Sequence, residues 1–274
     1  MDSILIIALA TMGGLGFIFA GGLAFADRKL RVEENPLIAK VSELLPNANC
    51  GACGNAGCYD FAVKVVEGKL APTSCPVCDE EAAAEIAKLT GGDGVNAIKL
   101  LPRILCGGGD GKAKNKDVHY KGPSKCALTD IVAGGDKKCS YGCLGGGDCV
   151  EACKFNAIYI GNDKLPVVIE ELCKGCGLCA QACPRGIIEM HPAERDLFVY
   201  CKSHDDPKTS KENCSAACIG CGICARNSNG AVEIIDNLAV INYELLNPGE
   251  IPIEKCSTRA IKKIAKNKMT VSLN

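Results

Sequence analysis

The chain has 274 residues, of which 21 are cysteine, 31 glycine, six phenylalanine, six tyrosine and none tryptophan. So few aromatic side chains make poor material for one large hydrophobic core, and small domains without such a core are usually held together by metals or cross-links. Lys and Arg total 31 against 32 Asp and Glu, a formal net charge of −1, so there is no basic excess to draw in nucleic acid and no such partner is expected.

In chain order, the first element is an apolar run from Ser3 to Ala26 with no charge and no proline. As a helix it would rise about 36 Å, enough for a hydrocarbon core of roughly 30 Å. A cleaved signal peptide is the rival reading, but Met1-Asp2 is acidic where a signal needs a basic start, and the run is too long. Arg28, Lys29 and Arg31 follow the run. The positive-inside rule therefore predicts a single pass through the cytoplasmic (inner) membrane, N-terminus outside, soluble part in the cytoplasm. Reduced thiols suit that compartment. Gly13, Gly14, Gly16, Gly21 and Gly22 would let a second membrane helix approach closely.

The predicted fold class is multidomain α+β. A transmembrane anchor (1–27) precedes a compact four-cysteine domain (38–97), with helices near 36–45, 56–67 and 79–89, the last stopped by Gly91-Gly92. Residues 98–135 read as a connector. Its Gly107-Gly108-Gly109 matches neither a dinucleotide fingerprint nor a P-loop and reads as a plain turn. A two-cluster ferredoxin-like module (136–191) and a degenerate second copy (192–274) complete the chain. Each cysteine group in these modules is followed by a short β-like stretch: Ala157–Ile160, Gly186–Glu189, Ala231–Ile234 and Arg259–Ile261.

The cysteine spacing carries the chemistry. Cys173-x2-Cys176-x2-Cys179-x3-Cys183-Pro184 is the bacterial ferredoxin run, whose fourth cysteine binds the other cluster of a pair. The partner run, Cys139-x3-Cys143-x5-Cys149-x3-Cys153, is stretched, with Gly145-Gly146-Gly147 in its widened gap. Crossed ligation assigns Cys139, Cys143, Cys149 and Cys183 to one [4Fe-4S] cluster and Cys153, Cys173, Cys176 and Cys179 to the other. Upstream, Cys50-x2-Cys53-x4-Cys58-x16-Cys75 offers one more set in a glycine-rich loop. Structural zinc is the alternative there, although three cysteines in nine residues with a remote fourth suit a cubane better than two knuckles.

In the last module Cys218, Cys221 and Cys224 keep the run, but Ser228 stands where the fourth cysteine belongs. Counting back from Cys256, the three partners of its own run fall on Leu246, Gly249 and Pro252. One cluster is thus lost and one kept, on Cys218, Cys221, Cys224 and Cys256. Four clusters follow from these sixteen cysteines. Cys106, Cys126, Cys201 and Cys214 form the candidate set for a fifth, or are inert thiols, and Cys78 is left over. His119, His191 and His204 lack metal-ligand spacing.

The stretches Asn49-Cys50-Gly51-Ala52-Cys53-Gly54, Tyr141-Gly142-Cys143-Leu144-Gly145 and Cys218-Ile219-Gly220-Cys221-Gly222, behind an N-terminal anchor, resemble the B subunits of Rnf complexes in the long form of clostridia and other anaerobes. The resemblance covers nearly the whole chain. It implies the electron-relay subunit of a membrane ferredoxin:NAD+ oxidoreductase coupled to Na+ or H+ export. Its partners would be soluble reduced ferredoxin and sibling subunits, and the siblings would carry the flavin and nicotinamide sites. A relay within another membrane oxidoreductase, or within a complex that reduces a redox-sensing regulator, stays open. A basic face for acidic ferredoxin is sought at Lys255, Lys262, Lys263, Lys266 and Lys268.

Overall fold

The computed structural model describes residues 2–30, 35–92, 98–117, 120–132, 134–246, 251 and 253–264. Arg31, His119, Gly249, Pro252, Lys266 and Lys268 lie outside them. The first element is helix α1 (Asp2–Leu30), with Arg28 and Lys29 in its last turn. Residues 5–30 of it are long and apolar enough to cross a membrane, and the protein buries none of that span. Among the described residues no neighbouring atom lies within 4 Å of a Cβ placed on any of its five glycines, so they leave the small-residue face of α1 uncovered.

Three helices make the next unit: α2 (Pro36–Leu44), α3 (Cys58–Val66) and α4 (Glu80–Thr90). Their ends follow local chemistry. Asn35 Oδ1 accepts the Leu37 N–H in front of Pro36, Asp79 Oδ1 accepts the Ala82 N–H, and Gly91 closes α4 at φ 72°. Val41, Leu45, Phe61, Val65 and Ile86 meet between them as a small core that also takes in Cys75. Burying a side chain such as Phe61 is worth about 1.5–3 kcal/mol, so a handful of such residues leaves little margin.

The remainder pairs its strands as four two-stranded antiparallel sheets among the described residues. Strand β1 (Leu100–Ile104) pairs with β4 (Ile188–Pro192), and β2 (Ile158–Ile160) with β3 (Pro166–Val168). In the second unit β5 (Leu197–Val199) pairs with β8 (Ile261–Lys263), and β6 (Val232–Ile235) with β7 (Leu238–Ile241). Both units share one plan: an opening strand, a central hairpin, and a closing strand that returns to the opening one. Short helical turns carry cysteines ahead of the later strands. In the first unit they are α6 (Asp148–Glu151) before β2 and α7 (Leu178–Gln181) before β4; in the second, α9 (Ile223–Arg226) before β6. The tight β6–β7 turn places Asp236 and Asn237 at φ 45° and 64°.

Residues 98–135 are more than a connector. They supply β1, whose Arg103 is opposite Glu189, and the helix α5 (Cys126–Val132). They also bridge onward through Ala113 to Cys214 and through Asn115 to Lys137. Nor is Gly107-Gly108-Gly109 an open turn. A Cβ on Gly108 would meet the Cys214 Sγ at 3.1 Å, and one on Gly109 the Asp163 carbonyl oxygen at 2.7 Å. The glycines are there because other segments press against this backbone.

Candidate iron-sulfur centres

Cys50, Cys53, Cys58 and Cys75 line one cavity, walled by Leu45, Phe61 and Val77. Its loop is stapled by Asn49, whose Oδ1 accepts the Cys58 N–H at 2.9 Å. A Cβ on Gly57 would sit 2.8 Å from that same oxygen. Buried Asn55 donates to Cys53 Sγ at 3.3 Å, and Lys64 in turn donates to Asn55 Oδ1 at 2.6 Å. Such an outer hydrogen bond stabilises negative charge on sulfur. The leftover Cys78 packs on the same core, and burial pushes its thiol up to about 11.

In the first ferredoxin-like unit, Cys153, Cys173, Cys176 and Cys179 lie within electrostatic reach of one another. Burial pushes the Cys179 thiol up to about 11, and its cysteine neighbours add to the rise. The Ala157 N–H donates to Cys153 Sγ at 3.3 Å. Cys50 of the N-terminal set acts on Cys176, so these two centres adjoin.

The other half of the pair departs from the spacing argument. Cys126, Cys143, Cys149 and Cys183 line one cavity. Cys106, Cys139, Cys201 and Cys214 line another. Spacing puts Cys139 in the first set and Cys126 in the second, and the structure exchanges them. Two contacts explain why. Asp148, beside Cys149, accepts the N–H groups of Cys126 and Ala127 at 2.7 and 3.0 Å, which pins the start of α5 at this cavity. A Cβ on Gly146 would lie 2.0 Å from the Ser124 carbonyl oxygen, so only glycine lets residues 124–126 dock there. The widened gap of the run, with its triple glycine, was the available signal: it is where another segment comes in.

Arg185 fixes the loop that carries Cys139. Its buried guanidinium donates to Asp130 Oδ1 and to the carbonyls of Gly134 and Gly142 at 2.8 Å each, and to that of Cys139 at 3.2 Å. Burial pushes the thiols in this half far up, Cys143 to about 11 and Cys149 to about 12.

In the last unit Cys218, Cys221, Cys224 and Cys256 line one cavity. Burial raises the Cys256 thiol, but N–H groups of Ile261, Thr258 and Ala260 and the Thr258 hydroxyl outweigh it and leave the pKa below the ordinary value. Ser228 is fully buried, donates to the Ala225 carbonyl at 3.0 Å and accepts the Val232 N–H at 3.0 Å. That is the place Cys153 holds against Ala157 in the first unit, with a hydroxyl replacing the thiol. Leu246, at one of the missing ligand positions, packs into the apolar core instead.

His191 bonds Glu189 at 3.2 Å, and His204 faces the Asp236 carbonyl at 3.1 Å. Of the lysines sought as a docking face, Lys262 lies over the Tyr200 ring at 4.3 Å and Lys263 reaches Asp196 at 4.0 Å, while Lys255 is exposed.

All-thiolate donor sets around a cavity fit iron-sulfur cubanes. The comparisons agree. The FeS family model (Fe-S cluster) matches residues 45–77, and the 4Fe-4S binding domain model matches residues 166–189. The chain is 36% identical over 262 residues to the B subunit of the Na+-translocating ferredoxin:NAD+ oxidoreductase complex of Acetobacterium woodii, covering 95% of this chain and 78% of that one. It is 37% identical to the B subunit of the ion-translocating oxidoreductase complex of Methanosarcina acetivorans, covering 95% and 99%. Against the proton-translocating counterpart of Clostridium ljungdahlii it is again 37% identical, covering 96% and 94%. The chain belongs to the family of Rnf-complex B subunits. As a member it carries [4Fe-4S] clusters, and with the uncovered apolar α1 it is a membrane-associated protein.

Proposed function

We propose that this chain is the electron-relay subunit of a membrane ion-translocating ferredoxin:NAD+ oxidoreductase. It would take electrons from soluble reduced ferredoxin and pass them toward sibling subunits of an Rnf-type complex. When bound, a [4Fe-4S] cluster supplies one-electron chemistry with no bond made or broken in the protein. The ligand sets assigned are Cys50, Cys53, Cys58 and Cys75; Cys153, Cys173, Cys176 and Cys179; Cys126, Cys143, Cys149 and Cys183; and Cys218, Cys221, Cys224 and Cys256.

The observation that carries this reading is the adjacency of three cysteine quartets: Cys149 lies within electrostatic reach of Cys179, and Cys176 of Cys50, next to the anchor-proximal core. The far end is where electrons would enter, because Cys221 is the one exposed cysteine among the described residues. Arg28 and Lys29 at the end of α1 favour a cytoplasmic-membrane anchor with the soluble units on the cytoplasmic side. The division assigned is anchor, four-cysteine domain and two ferredoxin-like modules, with β1 of the former connector counted into the first module.

The test is NAD+ reduction by reduced ferredoxin in complex purified anaerobically in mild detergent. Cys176→Ser should abolish it while the sibling subunits still co-purify. A Cys176→Ser complex that lacks the cluster yet keeps full activity refutes the relay role of the ferredoxin pair.

A further inference from the structure

Four cysteines, three of them outside every spacing motif, converge between the two ferredoxin-like units. Cys106 follows β1, Cys139 opens the stretched run, Cys201 follows β5 and Cys214 ends helix α8 (Pro207–Asn213). Cys106 and Cys214 are buried, and all four line one cavity together with Leu105, Tyr141 and Tyr200. We propose that this cavity is a built [4Fe-4S] site, ligated by Cys106, Cys139, Cys201 and Cys214, that joins the two ferredoxin-like units.

The backbone is shaped for it. A Cβ on Gly108 would lie 3.1 Å from Cys214 Sγ and 3.7 Å from Cys106 Sγ, and one on Gly142 would lie 3.5 Å from Cys139 Sγ and 3.9 Å from Cys106 Sγ. Bare glycine backbone beside sulfur is what an inorganic core needs in order to seat. N–H groups also point at the sulfurs: Cys143 donates to Cys106 Sγ, and Ser203 to Cys201 Sγ, each at 3.4 Å. Four inert thiols would not need such donors, whereas anionic cluster sulfur does.

Charge gives a second, independent argument. Lys137 is only 8% exposed, and its ammonium donates to the Gly108 carbonyl at 2.8 Å. It has no carboxylate partner within ion-pair distance among the described residues, yet it lies in electrostatic reach of both Cys143 and Cys214. A buried cation without a counter-charge is costly, and an anionic cluster beside it removes that cost.

Position gives the site its use, which rests on the relay reading. Cys106 Sγ takes its hydrogen bond from the N–H of Cys143, assigned to the ferredoxin pair. Cys201 lies within electrostatic reach of Cys218, assigned to the last module. The site therefore adjoins both neighbours and would join the last module to the pair.

Iron and acid-labile sulfide counted on the anaerobically purified complex, after subtracting a preparation lacking this subunit, should give about twenty of each for this chain. About sixteen irons, alone or accompanied by roughly one zinc, overturns the proposal. Paired variants decide the ligand set. Cys139→Ala with Cys214→Ala should lose about four irons, no more than either change alone, because both fall in one site. Cys126→Ala with Cys214→Ala should lose about eight, because they fall in two. The reverse pattern overturns the assignment in favour of the grouping read from spacing. If a variant fails to co-purify with its siblings, the wild-type iron count decides alone. Ferredoxin-linked NAD+ reduction on the same wild-type sample tests the relay reading separately. Its absence with about twenty irons present would refute that reading and leave this site standing.

Discussion

Gly175→Ala, set beside Gly177→Ala, isolates how the ferredoxin loop is held by a strand far away in sequence. Both glycines sit in the Cys173–Cys179 loop at positive φ, 68° and 76°. Placing a Cβ in that conformation costs roughly 1–2 kcal/mol, and both variants bear it equally. They differ in what the new methyl group meets. At 175 it would fall 2.5 Å from the Leu100 carbonyl oxygen, which belongs to β1 and is held by β4. At 177 the nearest atom is Met190 Cγ at 3.8 Å, an ordinary contact. Backbone cannot swing aside as a side chain does, so Gly175→Ala adds an overpacking cost of about 1–3 kcal/mol. The totals are about 2–5 kcal/mol for Gly175→Ala and about 1–2 kcal/mol for Gly177→Ala. At roughly 2–4 °C per kcal/mol for a chain of this size, Gly175→Ala should lower the midpoint by about 10 °C, and Gly177→Ala by about half that or less. The assay is thermal bleaching of the visible cluster absorption under anaerobic conditions, at one fixed scan rate because cluster loss is irreversible. The second module supplies an internal repeat, since a Cβ on Gly220 would meet the Asn237 carbonyl oxygen at 2.8 Å whereas one on Gly222 meets nothing nearer than the end of Arg226 at 3.5 Å. Equal losses at 175 and 177 would show that β1 does not pack on the cysteine loop and would refute the reasoning.

Arg185→Ala should destabilise the chain by about 3–5 kcal/mol, because it strands partly buried Asp130 and three carbonyls; Arg185→Lys should rescue little, since an ammonium cannot reproduce the fork. Denaturant unfolding measures both. Ser228→Cys should leave the iron content unchanged, because Leu246 packs in the apolar core where a second ligand would be needed. A gain of about four irons would show that the lost cluster needs only its thiol. Ser228→Ala should cost about 1–3 kcal/mol by depriving the buried Val232 N–H of its acceptor, read as a lower denaturation midpoint. Deleting residues 2–30 should move the chain from the membrane to the soluble fraction with its iron retained, because the protein buries none of the apolar span of α1. Retention in carbonate-washed membranes would mean that the siblings hold it without the anchor.

What the sequence settled is what short stretches of chain can settle. The α1 span needs only hydropathy and length. Helices α2 and α4 are marked by Asn35-Pro36, Asp79 and Gly91, which act on the turns beside them. Three ligands in one loop, as in Cys173-x2-Cys176-x2-Cys179, are recognisable because a few residues of backbone already bring them together, and the strands after each group announce themselves by composition. Ser228 and Leu246 stand where the ferredoxin spacing calls for cysteines. The exchange of Cys126 and Cys139 could not be read. Both lie within reach of either cavity along the chain, and the choice rests on Asp148 accepting two N–H groups from α5 and on a Cβ that Gly146 lacks. The pairing of β1 with β4 and the gathering of Cys106, Cys139, Cys201 and Cys214 are of the same kind. They bring together residues up to roughly 110 positions apart, and doubling a loop costs only about 0.6 kcal/mol, so chain length barely discriminates among partners. Only the packing of the folded chain does.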